Sequence, residues 1–199
     1  MTAWTPVDIT ALVGGLVGLV GGLTGLWSAL RPPRMEVAHL DRLGFVVGPD
    51  KELSKAHLPL VVSNQARKPG VITGMGLTFE GVESHDTHEF SWALFWNQDF
   101  ACPRKPDSYA SPIPVPGFTS AERNIEFHSR PSVKWRPETY KCSLSIRVGR
   151  KQDYRIASVF YIRLSEKRAT TWNAGCGNSR RVDDIPIFMG SKDPPQEGS

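Results

Sequence analysis

Charge is missing from the twenty-two residues between Ile9 and Leu30, and cysteine is scarce in the whole chain. Cys102, Cys142 and Cys176 are odd in number and show no Cys-x-x-Cys spacing, as expected of reduced cytosolic thiols rather than of a secreted disulfide framework. No Gly-x-Ser-x-Gly, His-Glu-x-x-His or Walker A loop occurs, so the common hydrolase, zinc-protease and nucleotide-binding signatures are excluded. Neither an enzyme nor a cofactor is expected. Lys and Arg are absent before Arg31, and no Asn-x-Ser/Thr acceptor site is present. Beyond Arg34 no long amphipathic helical pattern appears.

The uncharged segment is the most informative part of the chain. As a helix its twenty-two residues rise about 33 Å, against a hydrocarbon core of about 30 Å. At about 100° per residue, Gly14, Gly15, Gly18, Gly21, Gly22 and Gly25 share an arc of roughly 120°, while Leu12, Leu16, Leu19, Leu23, Leu26 and Leu30 share another. A short N-terminal segment (1–8) followed by a single transmembrane helix (9–30) is therefore expected. A cleaved signal peptide would begin with basic residues, and Met1 to Asp8 has none. Six leucines favour insertion by roughly 2–4 kcal/mol in total, so the span gains from a partner helix. Gly14-x-x-x-Gly18, Gly18-x-x-x-Gly22 and Gly21-x-x-x-Gly25 form the expected helix-packing face, for a second copy or another membrane protein. Arg31 and Arg34 flank the span, which predicts an outward N-terminus and a cytoplasmic C-terminal domain beside anionic headgroups of the lipid bilayer.

Pro32 and Pro33 stop the helix within a short spacer (31–34), because proline lacks the amide donor and disfavours helix in the residue before it. From 35 to 168, period-two alternation dominates. Leu58, Leu60 and Val62 share one face; Val71, Met75, Leu77 and Phe79 share the next; Phe90, Trp92, Leu94 and Trp96 form a third stripe. Ile125 with Phe127, then Tyr140 through Val148, then Ile156, Phe160, Ile162 and Leu164 continue the series. Met35–Leu40, with Phe45–Val47, brings the count to seven or eight strands. The fold class expected is an all-β antiparallel sandwich of two sheets.

Tyr140-Lys141-Cys142 resembles the Tyr-x-Cys of an immunoglobulin-type F strand. Leu60 to Asn64 with Pro69 to Ile72, and Pro114 to Gly117 leading into Ile125 to Phe127, are similar to passages of bacterial immunoglobulin-like and fibronectin-III-like domains. The resemblance implies an immunoglobulin-like sandwich in which Tyr140 is a structural corner residue bonded back to the backbone. No cysteine stands in the proposed B strand, so the inter-sheet disulfide of that family is missing.

Glu83 to Glu89 gathers His85 and His88 among carboxylates, the one weak candidate for a metal, although a solvated loop explains it equally simply. His39, His57 and His128 stand apart in sequence. The net charge of +4 is mild, and the pairs Lys167-Arg168 and Arg180-Arg181 lack interleaved aromatics, so no nucleic-acid partner is expected. Residues 169–199 read as a C-terminal extension, disordered from Ser191, in which Ile185 to Met189 covers a sheet edge. The function expected is a membrane-anchored protein-binding or assembly module with an unidentified protein partner. The alternatives are a membrane effector with clustered helices and an extracytoplasmic domain of inverted topology.

Overall fold

Strand formation follows the alternation just described, in the order α1 (Pro6–Leu30), β1 (Met35–His39), β2 (Arg42–Val47), β3 (Ser54–Asn64), β4 (Gly70–Gly81), β5 (Thr87–Trp96), β6 (Ser108–Tyr109), β7 (Ile113–Val115), β8 (Ser120–Ser129), β9 (Thr139–Val148), β10 (Arg155–Arg163), α2 (Glu166–Ala174) and β11 (Arg181–Pro186). The computed structural model describes residues 6–39, 41–47, 54–96, 108–129, 132–174 and 181–188, without side chains for 6–12, 28–30, 47, 181 and 182. Cys102, Cys176, Arg180 and the tail from Ser191 lie outside the described residues.

All eleven of these strands belong to one antiparallel sheet in the order β10-β9-β4-β5-β8-β3-β2-β11, with β1 beside β3, β6 beside β5 and β7 beside β4. This corrects the expectation of an immunoglobulin-like sandwich of two separate sheets. The physical reason is strand length combined with local twist. β3 and β4 run for 11 and 12 residues, and three bulges interrupt the ladders, at Ile72/Gly74, Trp92/Leu94 and Ile156/Ser158. Each bulge adds twist and bends its strand, so one continuous sheet curls over itself. Beyond β11, Phe188 pairs with Tyr161 of β10 through two backbone bonds of 2.9 Å, linking the two ends of the strand order.

The concave side holds the core. Leu58, Leu60, Val62, Leu77, Phe79, Phe127, Leu144, Ile146, Phe160 and Ile162 are buried there. Phe45 lies at an aromatic centre, stacked on Trp172 at 4.1 Å and edge-on to Trp135 at 4.9 Å. Trp172 comes from α2 and donates to Asp183 Oδ2 at 2.9 Å, while Ile185 of β11 is fully buried. The chain beyond residue 168 thus belongs to the same core as the strands.

α1 forms where the uncharged segment predicts a helix. Among the described residues, however, no helix is long and apolar enough to cross a membrane. The single-pass span, the outward N-terminus with a cytoplasmic domain, and the glycine face as a packing stripe inside a bilayer are corrected accordingly. The α1 side chains described are those of 13–27, a stretch that rises about 22 Å against about 30 Å of hydrocarbon. Six of those fifteen residues are glycine and add almost no apolar surface.

Candidate functional site

Three groups of side chains carry enough chemistry to be weighed as a site. The first is α1 itself. Val13, Leu16, Val17, Leu19, Val20, Leu23, Leu26 and Trp27 are each between 53 and 66 % exposed, so large apolar side chains face solvent all round the helix. No atom beyond the helix's own backbone lies within 4 Å of a Cβ added at Gly14, Gly15, Gly18, Gly21, Gly22 or Gly25. Thr24 returns its hydroxyl to the Val20 and Gly21 carbonyls at 2.9 and 3.0 Å, leaving little polarity on the surface. An open concavity of about 470 Å³ is lined by Leu23, Thr24, Trp27 and Arg31. The Arg31 amide closes the last turn on the Trp27 carbonyl, and its cation sits at the end of the helix where the dipole favours positive charge. Arg34 pairs with Glu36 at 3.4 Å, both largely exposed and so of little energetic weight.

The second group lies on the convex side of the sheet. Glu126 is fully buried, and its carboxylate accepts from His57 Nε2 at 2.8 Å, Trp96 Nε1 at 2.9 Å and His128 Nε2 at 2.5 Å. β-Register builds this arrangement, since His57 of β3 stands directly opposite Glu126 of β8, and His128 lies two residues along the same face. Trp96 arrives through the β5 bulge and tilts its ring against His57 at 5.6 Å. Burial by itself raises the Glu126 pKa; hydrogen bonds from His128 and His57 and their charge more than offset this, and the carboxyl is held well below its ordinary range. With three N–H donors on its two oxygens, this carboxylate is a poor general base and a structural anchor. Sequence spacing gave no sign that His57 and His128 converge. The detectable signal was the unbroken apolar run Ala93 to Trp96, which implies burial on both faces of one strand.

The third group surrounds the β4–β5 turn. Glu138, nearly buried, accepts the Glu83 and Ser84 amides at 3.0 Å each and the Ser84 hydroxyl at 2.7 Å. Despite desolvation, the bonds from Ser84 and Glu83, together with Arg136, hold its carboxyl below the ordinary range. A Cβ on Gly81 would stand 2.8 Å from both Glu138 oxygens, so the close approach requires glycine. His85 takes a positive φ of 59° in this turn, and its amide bonds the Gly81 carbonyl. His88 packs on Trp135 and Tyr140 at 5.6 and 6.4 Å, and burial lowers its pKa. Among the described residues no cluster of three or more His, Cys, Asp or Glu is arranged to hold a metal. The Tyr140 hydroxyl accepts the Arg136 amide at 2.9 Å and donates to the Arg136 carbonyl at 3.3 Å. Burial pushes its pKa up to about 12.

Of the three, the second and third are closed networks whose polar atoms are used internally. α1 is the element whose surface has no use inside its own fold. No family model matches the chain, and no curated protein matches it. Among solved structures it is similar to the ApaA protein from Bordetella pertussis, with 8% identity and a TM-score of 0.40, over 68% of this chain and 98% of that one. It is also similar to a protein from Archaeoglobus fulgidus, with 12% identity and a TM-score of 0.30 over 78% and 97%. A family 123 glycoside hydrolase from Clostridium perfringens is a further match, with 10% identity and a TM-score of 0.34, over 56% of this chain and 21% of that one. Likeness at this level says nothing of activity.

Proposed function

We propose that the chain is a protein-binding or assembly module in which α1 docks on α1 of a second copy. The observation that carries this reading is the exposure of eight large apolar side chains on α1. A contiguous apolar surface of that kind is unfavourable in water and marks an interaction site. Fully burying one Leu or Val is worth about 1.5–3 kcal/mol, so a few such residues on each helix suffice to offset part of the cost of association. The glycine side is the line of closest approach, because nothing occupies the space where its Cβ atoms would stand.

Sedimentation of the full chain tests this. Gly18→Leu with Gly22→Leu fills the line of approach, whereas Leu16→Ile with Leu23→Ile preserves bulk on the other side. The glycine pair should weaken self-association at least about tenfold, or ~1.4 kcal/mol, while the leucine pair behaves like the parent. Equal association of parent and both variants refutes docking through α1.

A further inference from the structure

Four connections meet at the end of the sheet from which α1 emerges. They are 31–34 before β1, 65–69 between β3 and β4, 116–119 between β7 and β8, and 149–154 between β9 and β10. Their proximity is fixed by hydrogen bonds. The Gln65 amide donates to the Arg34 carbonyl at 2.9 Å, the Phe118 amide to Ala66 at 3.2 Å, and the Gly149 amide to Val71 at 2.8 Å. Arg155 donates to the Met35 carbonyl at 2.5 Å. Buried Asn64 ties the group together, donating to the Lys68 and Val115 carbonyls at 2.9 and 3.2 Å and accepting the Ala66 amide at 3.1 Å.

Arg31, Arg34, Arg67, Lys68, Arg150, Lys151 and Arg155 are all exposed on this end, against the carboxylates of Glu36 and Asp153. The local excess of five positive charges exceeds the +4 of the whole chain, so the chain's basicity is concentrated here. Arg34 is the one member of the seven paired with a carboxylate among the described residues. Amid these cations Phe118 is 70 % exposed. It holds a φ of +54°, a backbone conformation that is costly for a bulky residue. Strain spent on presenting an aromatic ring to solvent gains nothing within the fold.

We propose that this end is a docking face for an anionic lipid surface. The geometry favours lipid over other polyanions: the cations ring a set of protruding loop tips rather than line a groove, and a single apolar ring projects among them. That arrangement suits a flat layer of charged headgroups, at whose depth aromatic side chains settle. Contact of this kind is peripheral, requires no segment that crosses the bilayer, and does not depend on α1 self-association.

Co-sedimentation of the full chain with vesicles of phosphatidylcholine containing about a third phosphatidylserine tests the proposal, with pure phosphatidylcholine vesicles reporting any contribution of α1. Each cation near such a surface is worth roughly fivefold in binding. A variant carrying Arg67→Gln, Lys68→Gln, Arg150→Gln and Lys151→Gln should lose a few hundredfold on the anionic vesicles at low salt, and Phe118→Ser should lose several-fold there. Both should match the parent on pure phosphatidylcholine and in circular dichroism. Undiminished binding of the four-residue variant to anionic vesicles overturns the proposal, as does release of the parent from them by duplex DNA at equal charge.

Discussion

Replacing Glu126 by Gln removes the buried charge at nearly constant shape, and the cost can be worked from its partners. Oε2 receives His57 and Trp96, and Oε1 receives His128. An amide offers one acceptor oxygen and one NH2 group, so at least one bond must be lost or reversed. The smallest loss turns the NH2 toward His128, whose imidazole can present its unprotonated nitrogen in the other tautomer. His57 and Trp96 then keep an acceptor without the negative charge that strengthened the bonds, where charged hydrogen bonds are worth about 1.5–3 kcal/mol against about 1 for neutral ones. The expected destabilisation is about 2–4 kcal/mol. For a chain of this size each kcal/mol moves the melting temperature by about 2–4 °C, so a fall of about 5–15 °C is expected by circular dichroism. Glu126→Ala should cost more, about 3–5 kcal/mol, since buried donors lose their acceptor altogether. The pH dependence gives a second readout. The folded pKa lies below the ordinary value of 4.5, so the stabilisation is present above about 4.5 and is lost as pH falls toward the folded value. The parent and Glu126→Gln melting temperatures should therefore converge below pH about 4. A variant that melts with the parent at pH 7 and shows the same acid slope refutes the network as a stabilising element.

Tyr140→Phe removes both bonds to Arg136 while keeping the ring among Trp135 and His88, and should lower stability by about 1 kcal/mol, read as a small fall in melting temperature. Gly117→Ala should cost about 1–3 kcal/mol by chemical denaturation, because the added Cβ overlaps the backbone carbonyl of Arg67.

Where alternation is unbroken, the inward faces were legible in the sequence. β9 shows it, with Tyr140, Cys142, Leu144 and Ile146 buried and Lys141, Ser143, Ser145 and Arg147 partly exposed. Each departure of the core from the alternating pattern falls at a bulge, where one extra residue reverses the facing of all that follows. In β4 the bulge puts Ile72 in the core in place of Val71. In β5 it turns Phe95 inward and sends Leu94 and Trp96 to the convex side, where Trp96 meets Glu126. In β10 it leaves Ile156 67 % exposed. A bulge carries no reliable mark in residue type, and the same shift that hid the Glu126 network also encouraged the reading of two flat sheets.

The basic end was hidden for a different reason. Arg67-Lys68 and Arg150-Lys151 lie more than eighty residues apart, and in the linear chain neither pair is denser than Lys167-Arg168. Antiparallel pairing brings them together, since β4 pairs with β9 from Ile72↔Val148 onward and the two flanking loops must emerge at the same end. The start of β1 is pinned there too. A Cβ on Gly70 would overlap the Met35 side chain and stand 2.8 Å from Pro33 Cβ, so Pro33 and Met35 can seat against β4 where the backbone is bare. Proline fixes its own φ and restricts the residue before it, and Pro32-Pro33 therefore joins α1 to the fold by a stiff link rather than a slack one. A partner that covers the apolar surface of α1 near Trp27 consequently approaches within a few residues of Arg31 and Arg34. Helix docking and surface docking are therefore coupled in position at this end, although different residues decide each of them.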